Sequence, residues 1–262
     1  MRIIAIANQK GGVGKTTTAV NLGACLAAAN QQVLLIDADP QRNATSGLGL
    51  AEEPSALNIY DVLVGSTPIG QATRRAVQFA HLDVLPSSAD LAGAEVELVS
   101  APGRERRMRE ATSGLDESYA YVLIDCPPSL GLITLNMLTA ADAVLIPLQC
   151  EYYALEGLSQ LLSTITVVQR SLNPRLTIDG VLLTMYDARL NLSRQVAADA
   201  RSYFGDKVFS AAIPRNVRLA EAPSFGLPII GYDLASVGAQ AYVAAAAELM
   251  ERTAKLSQSN IL

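Results

Sequence analysis

Residues 8–18 read Asn-Gln-Lys-Gly-Gly-Val-Gly-Lys-Thr-Thr-Thr and follow a short apolar run, Ile3–Ala7. Gly11, Gly12 and Gly14 carry no Cβ, so the backbone there can turn through positive φ and close its N–H groups around an oxyanion. Helical patterning begins at Lys15–Thr16 and aims the positive end of a helix dipole at the same point. That set of residues suits a polyphosphate. Lys15 reaches the β- and γ-phosphates, the Thr16 hydroxyl ligates Mg²⁺, and Val13 and Thr17 complete the cradle.

The strict spacing for such a loop is G-x-x-x-x-G-K-[ST], and Gln9 stands where its first glycine would be. What the chain carries is Lys10-Gly-Gly-Val-Gly-Lys15-Thr16, the deviant Walker A form of the P-loop. Lys10 lies on the outer lip, where Lys15 already serves the phosphates. Two apolar runs end in acids, Leu34-Leu-Ile-Asp37-Ala-Asp39 and Val122-Leu-Ile-Asp125. Carboxylates at C-terminal strand ends sit where open α/β sheets bind ligands. Asp125 follows a Walker B pattern and would hold Mg²⁺ through water, with Asp37 supporting the metal shell. Asp39 is placed to orient an attacking water. Pro127-Pro128 stiffens the loop after Asp125, which suits a γ-phosphate sensor.

The elements that must position these groups alternate along the chain. Strands are expected at Ile3–Ala7, Val33–Asp37, Leu82–Pro86, Tyr121–Asp125, Ala143–Pro147, Ile178–Met185 and Val208–Ile213. Helices are expected at Thr16–Ala29, Ala89–Leu98, Arg104–Leu115, Leu132–Ala140, Leu155–Ser171, Leu192–Phe204 and Val237–Lys255. Strand–helix alternation of this kind implies right-handed crossovers and an α/β fold: a doubly wound, mostly parallel sheet with helices on both faces. Strands apolar throughout, such as Tyr121-Val-Leu-Ile124, fit burial on both sides. Half of the residues are hydrophobic but only 5% aromatic, so Ala, Leu, Val and Ile build the core. With no linker or repeat, residues 1–256 read as one P-loop ATPase domain and 257–262 as a frayed tail.

Three scattered cysteines, Cys25, Cys126 and Cys150, suit a reducing cytoplasm, and no leader precedes the first strand. No apolar run reaches the roughly 20 residues of a membrane span. Net charge is −5, which argues against nucleic-acid binding by the whole surface but not by a local face.

These motifs together resemble the ParA/MinD group of deviant Walker A ATPases, most closely its chromosomal ParA (Soj-type) partition branch. The resemblance covers almost the whole chain. Asn8–Thr18 and Asp125-Cys-Pro-Pro-Ser-Leu-Gly131 are shared across the group. Gln149-Cys-Glu-Tyr-Tyr-Ala-Leu-Glu-Gly157 and Ile213-Pro-Arg-Asn-Val-Arg-Leu-Ala-Glu-Ala-Pro-Ser224 are more specific to the partition branch, and Asp37–Gly47 adds a further block. The resemblance implies an ATP-dependent sandwich homodimer in which Lys10 crosses to the partner's phosphates, as an arginine finger supplied in trans does. It implies non-specific binding to duplex DNA on the nucleoid and release when a ParB (Spo0J-type) centromere-binding partner stimulates hydrolysis. By the same resemblance Pro214 and Asn216 contact the adenine, and Glu151 and Tyr152 lie near nucleotide and dimer interface. One departure is Arg42, where relatives usually carry Gly after Asp-Pro-Gln.

Between Thr184 and Arg218 the basic residues Arg189, Arg194, Arg201, Lys207, Arg215 and Arg218 face Asp187, Asp199 and Asp206, six minus three or +3. The resemblance places DNA contacts at Arg189 and Arg218, with Arg215 beside them; such phosphate contacts carry no sequence information. A MinD-like membrane ATPase is the main alternative, but residues 250–262 are poor in the large apolar side chains an amphipathic membrane helix needs. An iron-protein donor would need paired cysteines, and a carboxylate-activating enzyme would need a substrate pocket. No N-terminal helix-turn-helix fits before Ile3. Lys15→Ala is expected to abolish nucleotide binding, read by calorimetric titration with Mg-ATP.

Overall fold

The computed structural model describes residues 1–50, 56–65, 67–151 and 156–259, the side chains of 156, 157 and 257–259 excepted. Seven strands form one wholly parallel sheet: β1 (Arg2–Ile6), β2 (Val33–Asp37), β3 (Leu82–Leu85), β4 (Tyr121–Asp125), β5 (Ala143–Gln149), β6 (Thr177–Tyr186) and β7 (Val208–Pro214). Their order is β3-β2-β4-β1-β5-β6-β7, which puts the first strand of the chain in the middle. All seven expected strands are present, and the doubly wound α/β class stands.

Successive side chains of a strand face opposite sides, and here each side meets its own core. Ile4 and Ile6 of β1 pack with α1 (Lys15–Ala28) and, through Tyr242, Ala245 and Leu249, with the long C-terminal helix. Ile3 and Ala5 face the opposite layer, with Met137, Leu161 and Val196. Strands β2, β4 and β5 are buried along their full length, which is why they show no polar alternation.

The remaining helices among the described residues are α2 (Asn43–Gly47), α3 (Ile59–Leu63), α4 (Ile69–Ala72), α5 (Leu91–Glu97), α6 (Arg107–Thr112), α7 (Leu132–Ala140), α8 (Glu156–Ser171), α9 (Asn191–Phe204), α10 (Val217–Glu221), α11 (Ile229–Tyr232) and α12 (Val237–Ser259). Helices of one turn, such as α2, α10 and α11, show too few residues for a 3.6-residue period to register. The single helix expected over 104–115 is instead a 3₁₀ turn at Arg104–Arg106 followed by α6. The cause is Asn136: its carboxamide donates to Arg104 O (2.7 Å) and accepts from Met108 N (3.2 Å), the two groups a continuous helix would bond to each other. At the other end, α12 continues through Ser259, into the stretch expected to fray. No helix among the described residues is long and apolar enough to cross a membrane.

Gly180 in β6 is a close-approach position. A Cβ there would lie 2.4 Å from Phe209 Cε2 and 2.9 Å from the Lys207 carbonyl oxygen. Phe209 is 1% exposed, and the Arg252 guanidinium lies 4.3 Å from its ring centroid, so the ring has little room to yield. Gly180→Ala should cost about 1–3 kcal/mol through overpacking, measured by urea unfolding.

Candidate nucleotide and DNA sites

The principal site forms where the C-terminal ends of β1, β2 and β4 meet. Asn8 fixes the exit from β1: its carboxamide donates to Pro147 O (2.8 Å) and accepts from Lys10 N (3.1 Å). The loop then turns through Gly12 (φ 73°) and Gly14 (φ 89°), both in the left-handed region that favours glycine. Thr184 of β6 donates to Val13 O at 2.8 Å and pins the loop to the sheet. A Cβ on Gly11 or Gly12 would meet nothing within 4 Å, so these glycines face a cradle and not a packed wall.

The two lysines differ in setting. Lys15 is 7% exposed and donates to Lys10 O at 3.3 Å. Burial lowers its pKa, opposed by the nearby carboxylates of Asp125 and Asp39. Lys10 lies at the rim with 36% of its side chain exposed, and its ammonium is 3.7 Å from Glu151 Oε2. The other Glu151 oxygen accepts from Arg215 Nη2 at 2.8 Å.

Strand register sets Asp125 beside both Asp37 of β2 and Ile6 of β1. Asp37 is fully buried and fully engaged. Its Oδ2 accepts from Thr45 N (2.8 Å) and Thr45 Oγ1 (2.6 Å), and its Oδ1 accepts from Asp39 N (3.1 Å). Burial still pushes its pKa up to about 6 against those hydrogen bonds. Asp125 is equally buried; neither of its oxygens meets full hydrogen-bond geometry among the described residues, although the Thr16 hydroxyl and the Lys15 ammonium lie close enough to favour its charge. Burial and the adjacent Asp37 raise its pKa well above the ordinary carboxylate range, with Thr16 and Lys15 pulling the other way. Asp39, 8% exposed, accepts from Gln41 N at 2.9 Å.

A buried carboxylate without a partner is costly unless a cation compensates it. The donor set around Asp125 fits Mg²⁺, a hard cation that takes few protein carboxylates and keeps several waters. No group of three His, Cys, Asp or Glu side chains converges on a metal among the described residues, so Thr16, phosphate and water would supply the rest of the shell.

Beyond the P-loop lies a cavity of about 400 Å³ lined by Gly14, Thr17, Thr184, Pro214, Asn216 and Tyr242. Asn216 caps α10 by position only, and its buried Oδ1 has no partner among the described residues. Largely apolar walls with one unspent acceptor suit a heterocycle bearing an amino group.

Most of the expected site residues therefore converge: Lys10 to Thr17, Asp37, Asp39, Asp125 and Glu151 around the loop, Pro214 and Asn216 in the adjoining cavity. Tyr152 lies outside the described residues. Arg189 follows β6, and Arg215 and Arg218 follow β7, so parallel pairing brings all three to one sheet edge. Lys207 precedes β7 at the opposite edge, so the +3 counted along the sequence overstates the local charge. Each of the three arginines has an acid beside it: Arg189 with Asp187 (2.7 Å), Arg215 with Glu151, and Arg218 with Glu221 (2.9 Å) and Asp233 (3.4 Å).

Three contributors escape a reading of the sequence. Asn8, Thr45 and Thr184 act through local hydrogen bonds with no spacing rule of their own, although Asn8 stands in the Asn8–Thr18 motif and Thr45 in the Asp37–Gly47 block. Arg42 adopts φ 59°, in the left-handed region, at a cost of about 1 kcal/mol or more. Glycine would avoid that cost.

A sheet of this order with a lysine-doubled P-loop and acids at the neighbouring strand ends defines a deviant Walker A P-loop NTPase. Residues 1–178 match the AAA domain family. The chain is 56% identical over 254 residues to the chromosome partitioning protein ParA of Caulobacter vibrioides, covering 96% of this chain and 95% of that protein. It is 56% identical over 248 residues to the sporulation initiation inhibitor protein Soj of Bacillus subtilis, covering 95% and 98%. Among solved structures, cobyrinic acid a,c-diamide synthase from Mycobacterium smegmatis, with bound ATP analogue and magnesium, superposes with a TM-score of 0.84 at 41% identity, covering 95% of this chain and 94% of that one. The chain belongs to the ParA/Soj family of chromosome-partitioning ATPases.

Asp125→Asn tests the charge balance of the site. A carboxyl whose pKa is raised on folding weakens the fold as pH climbs from its unfolded value, about 4, toward the folded one. Without nucleotide or Mg²⁺, the variant should melt above wild type at pH 7, by about 2–4 °C for each kcal/mol relieved, and the gap should close toward pH 4. The extra stability conferred by Mg-ATP should shrink in the same variant. Differential scanning calorimetry reads both.

Proposed function

We propose that this protein is a partition ATPase that binds ATP with Mg²⁺, pairs with a second copy across the nucleotides, and grips duplex DNA only as that pair. One observation carries the reading: the cradle already holds a buried lysine, Lys15, while Lys10 stands at the rim in a long, half-exposed ion pair. An exposed pair of that kind is worth about 0–1 kcal/mol, so a partner's phosphates can draw Lys10 away from Glu151 at little cost.

In this reading the loop N–H groups and Lys15 bind the β- and γ-phosphates, and Pro214 and Asn216 hold the adenine. Bound Mg²⁺ neutralises charge on the phosphates and fixes their oxygens for in-line displacement. Asp125 and Thr16 would hold that ion, and Asp37, its oxygens spent on Thr45 and Asp39, keeps Asp125 and the 37–47 segment in place. Asp39 orients the attacking water. The partner's Lys10 adds a cation as charge builds on the γ-phosphate, and a ParB-type protein accelerates that step and so returns the chain to single copies.

Arg189, Arg215 and Arg218 contact phosphates at the sheet edge. Because each must trade a carboxylate for phosphate, a single chain binds weakly, and two copies double the number of contacts and the salt dependence. The amide-forming name of the Mycobacterium smegmatis structure supports a carboxylate-activating alternative, but the partition relatives stand closer, at 56% against 41% identity.

Sedimentation with non-specific duplex DNA, in ATP, ADP or no nucleotide, tests the proposal. DNA should be retained with ATP alone, and equal retention in all three conditions would refute the switch. Lys10→Ala should still bind Mg-ATP but stay single-copy by light scattering. Arg189→Glu should pair normally yet lose DNA retention, with basal turnover unchanged.

A further inference from the structure

We propose that Glu95, on the outer helix α5, is a positioning residue for ATP hydrolysis: its carboxylate holds the loop from Asp125 to Gly131 by capping α7. This rests on the ATPase reading above. Helix α7 begins at Gly131, which has no side chain to cap it. Glu95 Oε1 supplies the missing acceptor from another element, taking a hydrogen bond from Ile133 N at 3.3 Å. A negative charge at that point also complements the helix dipole.

Carboxylate and glycine share one space. A Cβ on Gly131 would lie 2.2 Å from Glu95 Oε1 and 3.0 Å from its Cδ, so the glycine that closes the Asp125–Gly131 motif is the space the carboxylate fills. Its φ is −77°, an angle any residue adopts, so conformation does not demand glycine there. A Cβ there would instead push the carboxylate, the flexible end of a half-buried side chain, away from the helix end.

The loop between is stiff. Pro127 and Pro128 fix two φ angles, and the residue before each is restricted as well. Thr134, in the first turn of α7, donates to Ser129 O at 2.6 Å, binding the loop's outer half to the same helix end. A shift of α7's first turn is therefore carried back toward Asp125 and Thr16 without being absorbed on the way. Helix α5 is itself anchored by Leu91 and Ala94 in the core, while Val96 is 76% exposed beside Glu95. Glu95 thus links the outer surface to the loop that faces the γ-phosphate.

The test is a compensation cycle, with ATP turnover and nucleotide affinity measured for each protein. Glu95→Ala should lower kcat about fivefold, the worth of one helix cap, with Mg-ATP affinity unchanged. Glu95→Gln, which keeps an acceptor, should recover most of the loss. Gly131→Ala, whose Cβ displaces the Glu95 carboxylate and supplies no acceptor of its own, should resemble Glu95→Ala. The double variant Glu95→Ala/Gly131→Ser should turn over faster than Glu95→Ala, because serine at the cap position replaces the lost acceptor. Wild-type kcat in Glu95→Ala, or a double variant no better than Glu95→Ala, would overturn the role of Glu95 and leave the ATPase reading standing. A wild-type protein that neither binds nor hydrolyses ATP would overturn both.

Discussion

Two carboxylates in register, Asp37 on β2 and Asp125 on β4, are buried side by side beneath the P-loop, and much of the surrounding structure answers to that burial. Like charges at that separation in a dry setting cannot both be ionised cheaply. The chain deals with one of them internally: Thr45 wraps Asp37 with a backbone and a side-chain donor. It leaves the other, Asp125, for Lys15 and for whatever cation the phosphates bring. Structural debt of this kind makes affinity for a metal-bound triphosphate a property of the fold as well as of the loop.

The same geometry separates two kinds of work around the sheet edge. Apart from Lys10, the functional groups at the ends of β1, β2 and β4 are buried and fixed by register. Lys10 and the groups after β5, β6 and β7 are exposed and held in surface ion pairs, Lys10 and Arg215 to Glu151 and Arg189 to Asp187. Buried groups set the chemistry because they cannot move without breaking the core. The exposed ones can change partners at small cost, which suits contact with a second chain or with a phosphate backbone.

Legibility followed physical scale. All seven strands and every helix longer than two turns could be read from the sequence, because burial on two faces or one leaves a periodic trace. The P-loop, Asp37 and Asp125 were legible because phosphate chemistry fixes their spacing. One-turn helices left no trace, and the break before Arg107 depends on Asn136, from a helix that only tertiary packing brings there. Thr45, Thr184 and Glu95 were illegible for the same reason: each acts through contacts set by the fold. The counted charge between Thr184 and Arg218 misled because sequence distance says nothing about which end of a strand a residue occupies.

The place of β1 has a consequence for biosynthesis. This strand precedes the other six, and among the described residues it pairs only with β4 and β5, whose first residues are Tyr121 and Ala143. At about 5–20 residues per second, the ribosome needs roughly 6–25 s after Ile6 to deliver either neighbour. During that interval an apolar strand destined for the centre of the sheet has no hydrogen-bonding mate, and long-range parallel pairing is slow to form even afterwards. The nascent chain should therefore depend on holding factors, and faster translation, by shortening the wait, should raise the yield of soluble protein.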